Sequence, residues 1–251
     1  MTIIVGHRGA RNLWPENSLS GFRKTAALGI EAVEFDIHLT HSGEVVVLHD
    51  ATLDRTTHAT GDVAELTPQT RRETMLRDSL DDCVPLLEEV LEVFRPTPME
   101  LHIELKNTVC GDRYEGLAAR TVAAVREAGM EDRCILTGFM PAVLEELRSL
   151  APDIRRLASM NTQSALMLGG LTPAIRRLAA LADIVAVEKD LLANGWDRIL
   201  SELPLERLCP WVANTETELH YWLAKGTRQL TSDRPDLALA VRVEGRAKPS
   251  T

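Results

Sequence analysis

The chain has 251 residues, 45% of them hydrophobic and 26% charged, with a formal net charge of −9. That length gives one large domain or two small ones, with enough apolar residues to fill a sizeable core. The acidic balance, with both signs well mixed, disfavours nucleic acid or an anionic membrane surface as partner; a small anionic substrate stays open, because a bound metal ion can reverse the field in a cleft. The four cysteines, Cys83, Cys110, Cys134 and Cys209, are scattered without metal-finger spacing. That pattern suits a reduced intracellular protein. The apolar start is too short for a signal segment, and no run reaches the length of a membrane span, so a cytoplasmic location is expected.

Strand-like and helix-like segments alternate along the chain. The first strand is expected at residues 3–6. Asn17 is expected to cap a helix whose apolar residues Leu19, Phe22 and Ala26 recur at helical spacing, with Gly29 closing it. A second strand over 32–37 turns at Thr40-His41-Ser42-Gly43 into a return arm over 45–49. Residues 51–82 are long for a connection and mix Thr, Asp, Arg and Pro, as a functional insertion or small cap does. Further strands are expected at 99–105, 133–137, 154–158, 183–187, 207–212 and 228–232, with helices between them; Gly129 and Gly226 follow two of these helices. Setting the return arm aside leaves eight β units separated by helices. The expected fold is therefore an α/β (β/α)₈ TIM barrel forming a single domain over 1–251, with a hairpin and insertion after the second strand. A doubly wound open sheet is the alternative.

Glu34 and Asp36 stand two apart in a strand, so both carboxylates share one face and Val33, Phe35 and Ile37 share the other. Clustered carboxylate oxygens suit a hard divalent cation. Counting outward from the hairpin returns His49 to about the level of Glu34, and His7 follows the first strand. Two imidazoles flanking an acidic pair point to metal-assisted hydrolysis with histidine acid/base chemistry. In a barrel, His7, Glu34, Asp36, Glu104, Trp211 and Asp233 all lie near carboxyl ends of strands and ring one mouth. His38 shares the Glu34 face and is expected as a solvent-facing hairpin residue.

The ordered set His7-Arg8-Gly9, Pro15-Glu16-Asn17, Glu34-Phe35-Asp36, Val47-Leu48-His49-Asp50, Leu53-Asp54-Arg55-Thr56-Thr57, Glu104-Leu105-Lys106, Trp211-Val212-Ala213-Asn214 and Ser232-Asp233-Arg234-Pro235 resembles the glycerophosphodiester phosphodiesterase family. The resemblance spans nearly the whole chain. It implies hydrolysis of a small glycerophosphodiester to sn-glycerol 3-phosphate and an alcohol. His7 and His49 would be the acid/base pair, and Glu34, Asp36 and Glu104 would hold one divalent cation, Mg²⁺ or Ca²⁺. Arg8 and Lys106 would contact phosphate or neutralise neighbouring carboxylates. Glu16 would sit near metal and substrate, or merely help cap the first helix, and Trp211 would wall the alcohol side. No nucleic acid and no stable membrane association are expected; headgroup, cation identity, the separate roles of the histidines and oligomeric state are left open. The rivals are a lysophospholipase D on the same scaffold and a catalytically silent anion-binding module. The polar segment 226–231 departs from the family and leaves the eighth strand, and Asp233 with it, less defined.

Overall fold

Nine strands form in the computed structural model, which describes residues 1–247. They are β1 (Ile3–Gly6), β2 (Ala32–Leu39), β3 (Val45–Val47), β4 (Glu100–Leu105), β5 (Cys134–Gly138), β6 (Arg155–Met160), β7 (Ile184–Glu188), β8 (Leu208–Trp211) and β9 (Gln229–Ser232). Eight run parallel in the order β8-β7-β6-β5-β4-β2-β1-β9, and β3 pairs antiparallel with β2. The two ends of this series meet: the Ala213 N–H donates to the Thr231 carbonyl at 3.2 Å, and Cys209 Sγ lies 3.4 Å from Thr231 Oγ1. The sheet is thus a nearly closed (β/α)₈ TIM barrel, and the open-sheet alternative is excluded. The polar last strand forms after all, in register with β1 from Ile3↔Gln229 to Gly6↔Ser232. Gln229 and Thr231 face the barrel interior, where the Gln229 amide reaches His102 and Glu100 at 3.1 Å each.

Period-two alternation divides the side chains between two apolar layers. Val33, Phe35 and Ile37 face outward and pack under the helices. Phe22, from the helix Leu19–Ala26, meets Phe35 and Phe94 edge-on at 5.6 and 5.7 Å. Inside the barrel a smaller layer of Ile135, Leu157, Ile184, Ala186 and Cys209 forms a floor on one side. The insertion has its own apolar cluster, including Leu53, Val63, Leu66 and Leu76, joined to Val46 and Leu48 of the hairpin. Asp82 ties it to the barrel by accepting from the Ser20 N–H at 3.1 Å and the Ser20 hydroxyl at 2.5 Å.

Two expectations are corrected. Ser18, not Asn17, caps the first helix, its hydroxyl accepting from the Gly21 N–H at 3.0 Å. Asn17 turns inward at φ +56° and donates its amide to Asp36 Oδ2 at 3.0 Å. A buried carboxylate demands donors, and asparagine tolerates the left-handed backbone this requires. His38 is buried, not solvent-facing, because Tyr114 and the hairpin's return arm at His49 cover it. Its Nδ1 lies 3.0 Å from the Tyr114 hydroxyl and its Nε2 3.2 Å from the His49 carbonyl. Burial lowers its pKa to about 4.

Candidate active site

The carboxyl ends of the strands surround a cavity of about 220 Å³, lined on one side by His7, Arg8, Glu34, Asp36, His49, Glu104 and Lys106 and on the other by Phe139, Leu157, Ala186 and Trp211. Eight of the nine site residues expected from sequence thus line one cavity. Glu16 does not. It lines a neighbouring groove of about 410 Å³ with Arg11, Trp14 and Arg55, and that groove holds none of the three clustered carboxylates.

β2 and β4 build the acidic cluster. They pair Glu34↔His102 and Asp36↔Glu104, so the inward residues of both strands stack over His102. One oxygen each from Glu34, Asp36 and Glu104 lies within 4.8 Å of the other two. Two ligands on opposite sides of Ca²⁺, at about 2.4 Å each, stand about 4.8 Å apart, so this all-oxygen set fits a hard divalent cation with modest adjustment. Burial, then the charges of Asp36 and Glu104, push the Glu34 carboxyl well above the usual carboxylate range. Such mutual repulsion is what a cation at this place would relieve. For Asp36 burial acts in the same direction, but Lys106, His49, Arg8 and the Asn17 amide outweigh it and hold the group ionised. Lys106 Nζ lies 2.7 Å from Glu104 Oε1 and 3.3 Å from Asp36 Oδ1. Arg8 Nε is 3.6 Å from Asp36 Oδ2, and the Arg8 N–H donates to Glu34 Oε2 at 3.1 Å. Arg8 and Lys106 therefore pair with the carboxylates here, and both also face the cavity.

The backbone after β1 is bent to make that last contact. Arg8, Gly9 and Ala10 take φ of +50°, +71° and +66°. A Cβ on Gly9 would lie 2.8 Å from the Phe22 ring, so only glycine fits between turn and helix. Left-handed non-glycine residues at a cavity wall are a place where folding energy holds functional groups in position.

Each imidazole is held by a carboxylate at Nδ1. His7 Nδ1 lies 2.5 Å from Asp233 Oδ1, and its Nε2 looks toward Glu34 Oε2 at 3.8 Å. Asp233 is held in turn: Asn214 Nδ2 donates to its Oδ2 at 2.7 Å, the Asp233 N–H donates to Asn214 Oδ1 at 2.9 Å, and Arg11 Nε stands 2.9 Å from Oδ1. Burial would raise the Asp233 pKa, but the bond to His7 and the charges of His7 and Arg11 bring it down to about 2. His49 Nδ1 lies 2.6 Å from Asp50 Oδ1. Burial lowers the His49 pKa, with Lys106 and Arg8 adding to the effect. Arg55, from the insertion, grips Asp50 with Nε and Nη2 (2.6 and 3.0 Å) and Glu16 with Nη1 and Nη2 (3.0 and 2.7 Å). Arg8 Nη1 reaches the same Glu16 at 3.2 Å. Glu16 thus bridges two arginines at the edge of the site.

The motifs that contain Asp50, Arg55 and Asn214 do not by themselves assign these residues a role, and the polar strand before Asp233 leaves that residue undefined from sequence. A signal existed for Asp50, because a carboxylate directly after a reactive histidine is a ready orienter. None existed for Asn17 and Asn214, whose partners are 19 residues away in each case.

The family profile described as "Glycerophosphoryl diester phosphodiesterase family" matches residues 7–237. An uncharacterised protein of Bacillus subtilis (strain 168), YqiK, is 32% identical over 248 residues, covering 96% of this chain and 98% of its own. The glycerophosphodiester phosphodiesterase of Bacillus altitudinis is 27% identical over 259 residues, covering 97% and 99%. A crystal structure from Agrobacterium tumefaciens str. C58 superposes with a TM-score of 0.88 at 30% identity, over 99% of this chain and 100% of that one. Since the profile runs from the first cavity histidine past the last cavity carboxylate, and the relatives cover the barrel end to end, the chain belongs to the glycerophosphoryl diester phosphodiesterase family and is a phosphodiester hydrolase.

Proposed function

We propose that this chain hydrolyses small glycerophosphodiesters to sn-glycerol 3-phosphate and an alcohol, using one divalent cation on Glu34, Asp36 and Glu104 and proton transfer by His7 and His49. The observation that carries the reading is the paired arrangement of imidazole and carboxylate on either side of one acidic cluster in one cavity. A carboxylate at Nδ1 keeps the proton there and turns Nε2 to the reacting oxygens, the arrangement general acid–base catalysis needs. One imidazole takes the proton of the attacking hydroxyl or water, and the other delivers one to the leaving alkoxide, which would otherwise depart poorly near neutral pH. When bound, the cation, Mg²⁺ or Ca²⁺, supplies charge that stabilises the phosphoryl oxygens as negative charge grows there. Arg8 and Lys106 add fixed positive charge on the same side. Charge balance supports this set: three carboxylates against two cations leave one negative charge, a divalent ion makes it one positive, and a phosphodiester anion brings it to neutral.

A cavity of about 220 Å³ lies below the roughly 300–1,000 Å³ of pockets that enclose drug-sized ligands, which favours a small substrate over the long acyl chain of a lysophospholipid. We place the enzyme in the cytoplasm as one barrel domain that includes the inserted segment over 51–82. The absence of disulfides among the described residues and of any described helix long and apolar enough to cross a membrane supports that reading. The decisive experiment measures glycerol 3-phosphate release from glycerophosphocholine, glycerophosphoethanolamine and lysophosphatidylcholine after chelation and after adding back Mg²⁺ or Ca²⁺. Metal-restored turnover of the soluble diesters is expected. Full activity after thorough metal removal would refute the three-carboxylate assignment, and preference for the lysolipid below its micelle concentration would refute the substrate.

A further inference from the structure

The two halves of the cavity differ in kind. Arg8, Lys106 and the acidic cluster occupy the side where a phosphodiester would be held, and Phe139, Leu157, Ala186 and Trp211 occupy the other. The rings of Phe139 and Trp211 meet at 90° with centroids 5.9 Å apart, forming a corner on the cavity wall. Beside this corner stands a carboxylate that the reaction does not use. Glu188 ends β7, two residues after Ala186 and therefore on the same interior side. It is also in register with Trp211 of β8. Its Oε2 accepts from the Thr162 N–H and the Thr162 hydroxyl, both at 3.2 Å, which holds it at the rim next to Asn161, itself on the cavity wall. Glu188 has no ion-pair partner among the described residues; the adjacent Lys189 turns away to Asp190 and Glu218.

A carboxylate steadied only by neutral donors, next to two aromatic faces, is the chemistry that recognises an organic cation. Ring faces attract ammonium groups, quaternary ones above all, and a nearby fixed negative charge adds to the attraction. With a divalent ion on the three carboxylates the phosphate side would be net positive, and with Glu188 at the far rim the cavity would then carry a charge separation matching a zwitterion. We propose that Phe139, Trp211 and Glu188 form a subsite for a cationic alcohol, so that the preferred substrates are glycerophosphodiesters whose leaving alcohol carries an ammonium group. This inference rests on the phosphodiesterase reading above.

The test compares glycerophosphocholine with its neutral carbon isostere, the 3,3-dimethylbutyl ester of glycerol 3-phosphate. The two match in shape and differ in one charge. The kcat/KM ratio is expected to favour the choline ester about tenfold, a factor in keeping with one partly desolvated cation–aromatic contact, and to reside in KM. Glu188→Gln should bring the ratio down to about twofold, and Trp211→Leu should lower it as well. Choline should inhibit competitively, and 3,3-dimethylbutanol more weakly by a similar factor, which reads binding without turnover. Equal rates on the two esters, or a ratio untouched by Glu188→Gln in a folded variant, would overturn the subsite while leaving the hydrolase reading in place. No turnover of either ester under any cation would overturn the hydrolase reading itself, and the subsite with it.

Discussion

Replacing Asp233 by asparagine tests whether the carboxylate behind His7 sets the imidazole's tautomer. The swap keeps the shape and removes a charge, but the surroundings leave the amide no good orientation. Asp233 Oδ1 faces His7 Nδ1 at 2.5 Å and Arg11 Nε at 2.9 Å, while Oδ2 accepts from Asn214 Nδ2 at 2.7 Å. Asn214 cannot turn over to help, because its Oδ1 already accepts from the Asp233 N–H at 2.9 Å and from Ser232 Oγ at 3.3 Å. If the new NH₂ points at Asn214, two donors meet at a cost of about 1–3 kcal/mol. If it points at His7, the amide donates to Nδ1, the ring proton moves to Nε2, and the nitrogen facing the cavity acquires the wrong role. Either outcome leaves a small fraction of molecules in the productive form, so kcat should fall by roughly 10²–10⁴.

The assay is release of glycerol 3-phosphate at saturating substrate and cation, with circular dichroism and Tm confirming a folded variant. KM should change little, because the carboxylate cluster, Arg8 and Lys106 are untouched. The stability of the variant adds a signature. The Asp233 pKa is lowered to about 2 in the folded protein, below its ordinary value. Its ionised form therefore adds stability that is fully present above pH 4 and is lost as pH falls toward 2. The Tm gap between wild type and Asp233→Asn should be widest at neutral pH and narrow at acid pH. A variant that keeps at least a third of wild-type kcat would refute the tautomer argument.

Other perturbations probe the remaining parts. Arg55→Gln releases both Asp50 and Glu16 and should lower kcat/KM by about 10–100-fold, and Arg55→Lys should recover only part, since an ammonium cannot hold two carboxylates as a planar fork does; full recovery with Lys would sink the clamp. His7→Ala and His49→Ala should each reduce kcat by roughly 10²–10⁴. A p-nitrophenyl phosphodiester, whose leaving anion needs no proton, should rescue only the variant lacking the acid; rescue of both or neither would contradict divided roles. Glu34→Gln removes a carboxyl whose pKa is raised by burial and its neighbours, so the metal-free protein should not lose stability. The Tm rise on adding Mg²⁺ or Ca²⁺ should disappear, and its persistence would count against Glu34 as a ligand. Burial lowers the His38 pKa to about 4, so the folded state holds this ring neutral where the unfolded chain takes up a proton. Stability should then decline as pH falls from about 6.5 to 4, and His38→Asn should flatten that slope; an unchanged slope would assign it elsewhere.

The barrel was legible because its strands are short apolar runs at regular intervals, and each observed strand overlaps the segment expected for it. β9 was the least certain, since Gln229 and Thr231 look wrong for a buried strand until their partners inside the barrel are known. Residues that act through local spacing were equally legible. Glu34 and Asp36 lie two apart on one strand, and Glu104 is two residues beyond His102 on the next. His38 failed for the opposite reason. Its strand parity was read correctly, but whether an inward side chain is wet or buried depends on what covers it, here the His49 carbonyl of the return arm and Tyr114 from 76 residues away. Asn17 failed likewise: a residue of capping type before a helix is ordinarily a cap, and only the buried Asp36 carboxylate across the turn draws it inward.

The groups that orient the two histidines come from different levels of the chain's organisation. Asp233 follows β9 and is held by Asn214, which follows β8, so the pair is set where the two ends of the barrel wall meet. His7 can be correctly oriented only when that seam is closed. Asp50 is held by Arg55 from the insertion, whose packing depends on the apolar cluster around Leu53 and Leu76. Arg55 also grips Glu16, and Glu16 grips Arg8 beside the carboxylate cluster. A loosened insertion would therefore disturb His49 and Arg8 together while leaving His7 and the β2–β4 carboxylates in place. The insertion thus acts as part of the site's support rather than as a cover over it, which explains why a segment with so little regular structure carries its own core and is pinned to the first helix through Asp82.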